Sequence, residues 1–216
     1  MSAARLAVLV ALCGCGADPG PRDFKDLPPD EAAAGRAARA EAAPRPSAPA
    51  DALEHARQAA QETGRGLKQR LQAALQSGGP VEAVSACHIQ APKVSADVAE
   101  RQGVQVGRSS LRLRNPANAQ APAWVGAWLQ AQGERPAEGV AGISEVATTP
   151  DGAVARVLKP IAVEPVCLTC HGPADTLAPA VAGRISELYP QDAAVNYAVG
   201  DLRGALWAEY PVPEGG

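Results

Sequence analysis

The pattern of apolar and polar positions divides the chain into three parts. Leu6 to Leu12 is a short apolar run, and residues 17–50 hold 11 Ala and 7 Pro among 34 positions. Regular periodicity begins at Asp51, where apolar residues recur at helical intervals. The pattern predicts a first helix from Asp51 to the glycine pair at 78–79, and two further helices over Val81–Ile89 and Pro92–Gln102.

The second half of the chain alternates apolar and polar residues as half-buried strands do. Strands are predicted at Val104–Val106, Leu111–Leu113, Val140–Val146, Val154–Leu158 and Ala205–Tyr210. A short helix carries Trp124 and Trp128, which we expect in the core, and Thr149–Gly152 is a predicted turn. Helices followed by an interrupted antiparallel sheet predict an α+β fold.

The amino terminus resembles the signal peptide of a bacterial lipoprotein. A positive start with Arg5 precedes the apolar run, and Gly14 stands directly before Cys15. We therefore expect a signal peptide over residues 1–14, a lipidated Cys15, a disordered tether over 15–50, a folded domain over 51–212 and a tail over 213–216. The protein would then be anchored on the periplasmic side of a bacterial membrane, inner or outer. The alternative is an ordinary signal peptide whose cysteines are incidental.

Composition narrows the class of protein. The formal charge of −3 argues against nucleic-acid binding, which requires a basic surface. Gly and Pro together number 41, so turns or flexible segments interrupt the chain often.

One string carries recognisable chemistry, namely Cys167-Leu-Thr-Cys170-His171. In c-type cytochromes two thiols at this spacing bond to the haem vinyl groups and the adjoining histidine becomes an iron ligand. A redox-active thiol pair would need a thioredoxin-like βαβ context, and a zinc site would need a second Cys/His pair at ligand spacing. The sequence has neither, so we expect one covalent haem c, held by Cys167 and Cys170, with His171 on the iron.

The residues alone leave several candidates for the second axial ligand. Methionine is excluded, because Met1 is the only one and leaves with the signal peptide. Four of the five cysteines have an expected role in the signal peptide, the lipid anchor or the haem attachment, which leaves Cys87. An unpaired thiol is unusual outside the cytoplasm, so a functional role is expected for it. Cys87 is therefore the leading candidate. His88, His55, a lysine-filled site or an open site remain alternatives, and a small buried thiol is the non-functional interpretation.

Arginines near the middle of the chain are candidates for the haem carboxylates. Arg108, Arg112 and Arg114 cluster in the predicted strand region, and guanidinium groups match carboxylates in geometry. A solvated strand face is the alternative interpretation.

Several segments together resemble a known family of c-type haem proteins with a PAS-like fold, formerly a domain of unknown function. They are Cys87–Pro92, Val106–Asn118, Lys159-Pro160 before the haem motif through Gly172, Tyr189–Asp192 and Gly200–Gly204. The similarity covers roughly Asp51 to Val212. The family occurs alone and as the sensory part of some histidine kinases and chemoreceptors. It implies His/Cys ligation, with the cysteine in the segment that matches Ser85-Ala-Cys87. In this chain the proline Pro122 falls one position later than is usual in the family.

These observations predict an extracytoplasmic redox protein that transfers electrons or senses redox state through a separate partner protein. A sensor of NO or CO is the alternative, and a haem peroxidase is a weaker one because it needs an open distal site with acid–base help. We expect a non-catalytic protein.

Overall fold

The computed structural model describes residues 48–213. The predicted signal peptide, Cys15, nearly all of the 15–50 tether and residues 214–216 of the tail lie outside the described residues. The helices are α1 (Pro49–Gln102), α2 (Ala123–Gln132), α3 (Leu168–His171) and α4 (Pro179–Leu188). The strands are β1 (Gln105–Ser109), β2 (Ile143–Thr149), β3 (Gly152–Ala162) and β4 (Leu202–Pro211). Short 3-10 turns occupy Pro116–Gln120, Pro165–Cys167 and Ala174–Thr176.

Helix α1 consists of two arms that meet at Gly79. Gly79 has φ 72° and ψ −166°, a conformation essentially restricted to glycine, and Pro80 follows it. The predicted break at the glycine pair and the proline start of a second helix are therefore confirmed. The first arm comprises residues 49–78 and the second arm residues 80–102. Leu71, Ala74 and Leu75 of the first arm pack against Ala83 and Ala86 of the second.

The second arm continues through Pro92, where the sequence predicted a new helix. Proline has φ close to the helical value, so the backbone can pass through it. The cost is one hydrogen bond, because Pro92 has no N–H for the carbonyl of His88. The predicted Val81–Ile89 and Pro92–Gln102 helices are one continuous arm.

The four strands form one antiparallel sheet in the order β1-β4-β3-β2. The hairpin β2–β3 pairs Thr149 with Gly152 across the predicted turn. The last strand, β4, lies between β3 and β1, so the carboxyl-terminal end of the domain is in the middle of the sheet.

Apolar residues cover both faces of the sheet. On one face Ala155, Val157, Ala208 and Tyr210 pack against α1, whose contact residues are mostly alanines (Ala52, Ala56, Ala59 and Ala60). On the other face Leu158, Ala205 and Trp207 pack against Val125, Trp128 and Leu129 of α2. Trp124 packs against the same cluster, so both tryptophans belong to the core as expected.

Helix α4 holds the second arm of α1 in place. Val181, Ile185 and the following Tyr189 form a buried cluster with Val84, one turn before Cys87. The sequence analysis did not predict α4, although Pro179 at its start and apolar residues at 181, 185 and 188 have helical spacing.

The predicted strand Leu111–Leu113 is wrong. The Ser110–Asn115 segment is irregular, and its polar groups are used locally. The carbonyl of Arg112 accepts a hydrogen bond from Ser110 Oγ at 2.7 Å, and the carbonyl of Leu113 accepts one from the Ala193 amide at 2.9 Å. Asn115 caps the 3-10 turn that follows. The α+β class and the helices-then-sheet order are confirmed.

Replacement of Gly79 by alanine should destabilise the domain by about 1–3 kcal/mol, because a side chain is strained in this backbone conformation. No heavy atom lies within 4 Å of the position that the new Cβ would take, so the loss would come from the backbone alone. The measurement is equilibrium unfolding in urea.

The control is Gly126→Ala in the exposed interior of α2, where the new Cβ also meets nothing. There the free energy of unfolding should rise by roughly 0.8–1 kcal/mol, the difference in helix propensity. Equal effects at the two glycines would contradict the conclusion that Gly79 allows the chain to reverse direction between the two arms of α1.

Candidate functional site

A cavity of about 420 Å³ is lined by both arms of α1, by β1 and by the segment that carries α3. Its wall is apolar on the first arm, with Leu67, Leu71 and Leu75, and Val84 continues it on the second arm. This volume is within the ~300–1,000 Å³ range of pockets that hold small molecules and cofactors.

The Cys167–His171 motif lies on this cavity. Strand β3 ends at Ala162, and a 3-10 turn followed by the single-turn helix α3 carries the motif. The two thiols and the imidazole all line the cavity. The Glu164 amide donates a hydrogen bond to the Sγ of Cys167 at 3.3 Å, and the Glu164 carbonyl accepts one from the Cys167 amide at 2.9 Å. A local turn thus presents all three groups to one space.

The imidazole of His171 is neutral and held in one orientation. Burial, together with the nearby positive charges of Arg203 and Arg114, lowers its pKa to about 2. Its Nδ1 lies 2.6 Å from the carbonyl oxygen of Ala194. A neutral imidazole that bonds to a carbonyl must donate from that nitrogen, so Nε2 keeps its lone pair. The imidazole can therefore bind a metal ion through Nε2 without first losing a proton.

Cys87 lines the same cavity from the second arm of α1. Burial raises the pKa of its thiol, while Arg108 and Arg114 act in the opposite direction. The thiols of Cys87, Cys167 and Cys170 are free in the described part of the chain. The fold thus brings Cys87 into one cavity with a motif 80 residues away in sequence.

The alternative donors lie elsewhere. His88 is on the exposed side of the second arm, and its ring contacts that of Tyr189 edge-on, with centroids 5.1 Å apart. His55 Nε2 lies 2.8 Å from the carbonyl of Gln102, and its ring packs against Tyr210. Neither lines the cavity, and none of the described lysines does.

Three arginines line the cavity, and its lining contains no carboxylate. They are Arg108, Arg114 and Arg203. Arg114 forms an ion pair with Asp192, but Arg108 and Arg203 have no carboxylate partner among residues 48–213. Burial lowers the pKa of Arg108, and burial together with Arg108 lowers that of Arg203 to about 10. Both guanidinium groups thus lack a carboxylate partner, although Nη1 of Arg203 donates hydrogen bonds to Ser110 Oγ at 2.9 Å and to the Arg112 carbonyl at 3.3 Å.

Arg112 points elsewhere. Its Nη1 donates to the carbonyl of Val195 at 2.8 Å, its Nε lies 3.3 Å from a Glu134 oxygen, and its guanidinium stacks 3.8 Å above the Tyr197 ring. The structure brings Arg108 and Arg114 to the cavity with the Cys167–His171 motif but does not bring Arg112 there.

Sequence reasoning missed three residues of this site. Arg203 and Tyr189 line the cavity, and Asp192 holds Arg114. Tyr189, Asp192 and Arg203 fall in the segments Tyr189–Asp192 and Gly200–Gly204, which carry the family resemblance, but the sequence analysis gave these three residues no role. The family resemblance was the sequence signal that connected these segments with the Cys167–His171 motif.

Two features are absent from the described residues. No helix within 48–213 is both long and apolar enough to cross a membrane. In the same range, no three His, Cys, Asp or Glu side chains converge as a metal-ion site.

Fold and site define a PAS-like α+β domain with an apolar, arginine-bearing cavity onto which a Cys-x-x-Cys-His motif opens. The model of the Tll0287-like family matches residues 37–211, and the chain belongs to that family. No curated protein matches the chain.

A solved structure supports the same assignment. The crystal structure of the cyanobacterial heme-protein Tll0287 superposes with a TM-score of 0.51 and 25% sequence identity. The match covers 70% of this chain and 92% of the other. The PAS-like fold expected from the sequence is confirmed.

Proposed function

We propose that this chain binds one haem, attached covalently through Cys167 and Cys170, with His171 as an axial ligand. The observation that carries the proposal is that both thiols and the imidazole line one apolar cavity of cofactor size. The similarity to a heme-protein of the same family supports it. Bound there, haem would supply a one-electron iron couple.

The residues present fit that group in three respects. The leucine wall suits the apolar face of a macrocycle, and His171 Nε2 is an unprotonated nitrogen donor. Arg108 and Arg203 supply two positive charges that have no acidic partner among residues 48–213, and these match two carboxylates in number and sign. An occupant with an apolar body and two carboxylates would satisfy all of them.

We assign the second axial position to Cys87. Outside the motif, Cys87 and Tyr189 are the lining side chains that can bind iron, but burial raises the pKa of Tyr189 to about 12 and keeps its phenol protonated. His88 and His55 are engaged outside the cavity. A thiolate is anionic and stabilises the more positive oxidation state of iron. This assignment supports a low-potential redox centre.

We further propose that the domain works outside the cytoplasm as an electron carrier or redox sensor, tethered to the membrane through Cys15. The support is the sequence of the leader and the place where covalent haem attachment occurs. A redox role requires a separate partner protein, to which the domain would pass an electron or a change of shape.

The covalent attachment is tested by the mass of the denatured chain after expression with a haem-attachment system. The wild-type chain should carry the added mass of one haem, and the double variant Cys167→Ala/Cys170→Ala should carry none. Cys87→Ala is the matched control and should retain the full haem mass. A bare wild-type chain, or haem removed by denaturant alone, would refute covalent binding.

The ligand assignment is tested by electron paramagnetic resonance of the ferric protein. The wild type should give a low-spin thiolate signal that Cys87→Ser abolishes and that the neighbouring His88→Gln leaves unchanged. A spectrum that Cys87→Ser does not alter would end the assignment of Cys87. A high-spin wild type would instead favour a site open to diatomic ligands.

The carboxylate assignment is tested with Arg203→Gln, and Arg112→Gln is the control outside the cavity. Loss of a positive charge from the cavity lining would disfavour the reduced state of a bound haem, so Arg203→Gln should lower the midpoint potential. The free-energy change of a unit charge at such sites is on the order of 1 kcal/mol. Potentiometric titration measures it, and equal shifts in both variants would contradict the assignment.

A further inference from the structure

Arg114 forms most of its polar contacts with other groups of the protein, which binding a cofactor carboxylate would not require. Its Nε and Nη2 lie 3.1 and 3.0 Å from the two carboxylate oxygens of Asp192, a bidentate pair. The same Nη2 also donates to the carbonyl of Cys170 at 2.6 Å and to that of Ala194 at 3.2 Å, so one of its two N–H groups is shared between two acceptors. Among the described residues, Nη1 is the guanidinium nitrogen without a partner. The fork is thus largely committed to the protein itself.

These contacts converge on the backbone that holds His171. The carbonyl of Ala194 accepts from both Arg114 Nη2 and His171 Nδ1. Asp192 Oδ1 accepts from the amide of Ala194 at 2.8 Å, so both ends of that residue are tied to one ion pair. Cys170, whose carbonyl Arg114 binds, directly precedes His171. One ion pair therefore fixes the acceptor of the imidazole and the peptide that carries it.

The pair is buried, which makes its geometry demanding. The side chains of Arg114 and Asp192 are 11% and 8% exposed. Buried ion pairs contribute little net stability over apolar residues, but the loss of one partner is costly. Lysine carries the same charge but cannot supply the planar fork that reaches one carboxylate and two carbonyls together. The Arg114–Asp192 pair thus depends on the geometry of the guanidinium group more than on its positive charge.

We propose that Arg114 and Asp192 form a positioning pair that sets the orientation of the His171 imidazole at the iron. This inference rests on the proposed function, since it requires His171 to be the axial ligand. It gives Arg114 a structural task at the ligand and leaves the cofactor carboxylates to Arg108 and Arg203. Outer-shell partners of ligating histidines commonly have this effect on ring orientation.

The test compares the haem-loaded Arg114→Lys, Asp192→Asn and Arg156→Lys variants with the wild type by ferric electron paramagnetic resonance and potentiometry. Arg156→Lys is the control, because Arg156 forms a largely buried pair with Glu209 at 2.7 Å, with side chains 19% and 14% exposed, and does not line the cavity. The single set of wild-type g values should split into two or more sets in Arg114→Lys, since the ring is no longer held in one plane. The control should keep the wild-type set.

The midpoint potential separates positioning from charge. Arg114→Lys conserves the charge, so the potential of its main component should change less than that of Arg203→Gln. One unaltered set of g values with a large shift in potential would overturn the proposal and make Arg114 a carboxylate partner. Asp192→Asn keeps an oxygen acceptor for the Ala194 amide and serves if Arg114→Lys fails to fold. It should also broaden the signal, and wild-type spectra in both variants would overturn the proposal.

The experiment distinguishes this failure from failure of the proposed function. A wild-type spectrum that His171→Ala leaves unchanged would refute His171 as a ligand, and the positioning role with it. A spectrum that depends on His171 but not on Arg114 or Asp192 would leave the haem site intact and refute the positioning pair alone.

Discussion

The reversal of α1 at Gly79 is the constraint on which the site depends. The first arm packs its alanines closely against β3 and β4, and its leucines form one wall of the cavity. The second arm can return only because residue 79 adopts a conformation with positive φ that glycine tolerates. Contacts between the arms and with α4 then hold Val84 and Cys87 at the cavity. Cys87 therefore meets the haem motif through a helix reversal that lies eight residues before it in the chain.

The opposite side of the site is built from irregular segments that side chains hold together. The Cys167–His171 motif occupies turns after β3, and the segments around Arg114 and Ala194 have no ladder hydrogen bonds of their own. Buried backbone polar groups need partners, and here the Arg114–Asp192 pair supplies several of them. A rigid helix on one side and a cross-linked loop cluster on the other give the cavity two walls of different physical origin.

Charge distribution in the cavity links the fold to its proposed occupant. The lining has three arginines and no carboxylate, and only Arg114 has an acidic partner within the described residues. Uncompensated buried guanidinium groups are costly in an unloaded protein. Their cost is offset when an anionic group binds, so these arginines would contribute both to the affinity for such a group and to the selection of its charge. The depressed pKa of His171 has the same cause, because burial and these cations keep the imidazole neutral and available as a ligand.

The sequence by itself determined the class of fold, the break in the first helix and the presence of the Cys-x-x-Cys-His motif. The Cys167–His171 spacing, the break at Gly79, the hairpin turn and the class of fold all depend on residues close together in the chain, where local geometry decides the outcome. It failed at Leu111–Leu113, because alternation alone cannot show that distant groups such as the Ala193 amide bind that backbone. Only the tertiary structure decided which side chains share the cavity. Cys87, Arg203 and Tyr189 line the cavity, whereas His55, His88 and Arg112 do not. The fold also pairs Arg114 with Asp192, 78 residues further along the chain. Such contacts arise from the packing of α1 and α4 around the sheet, and no periodicity along the chain encodes them.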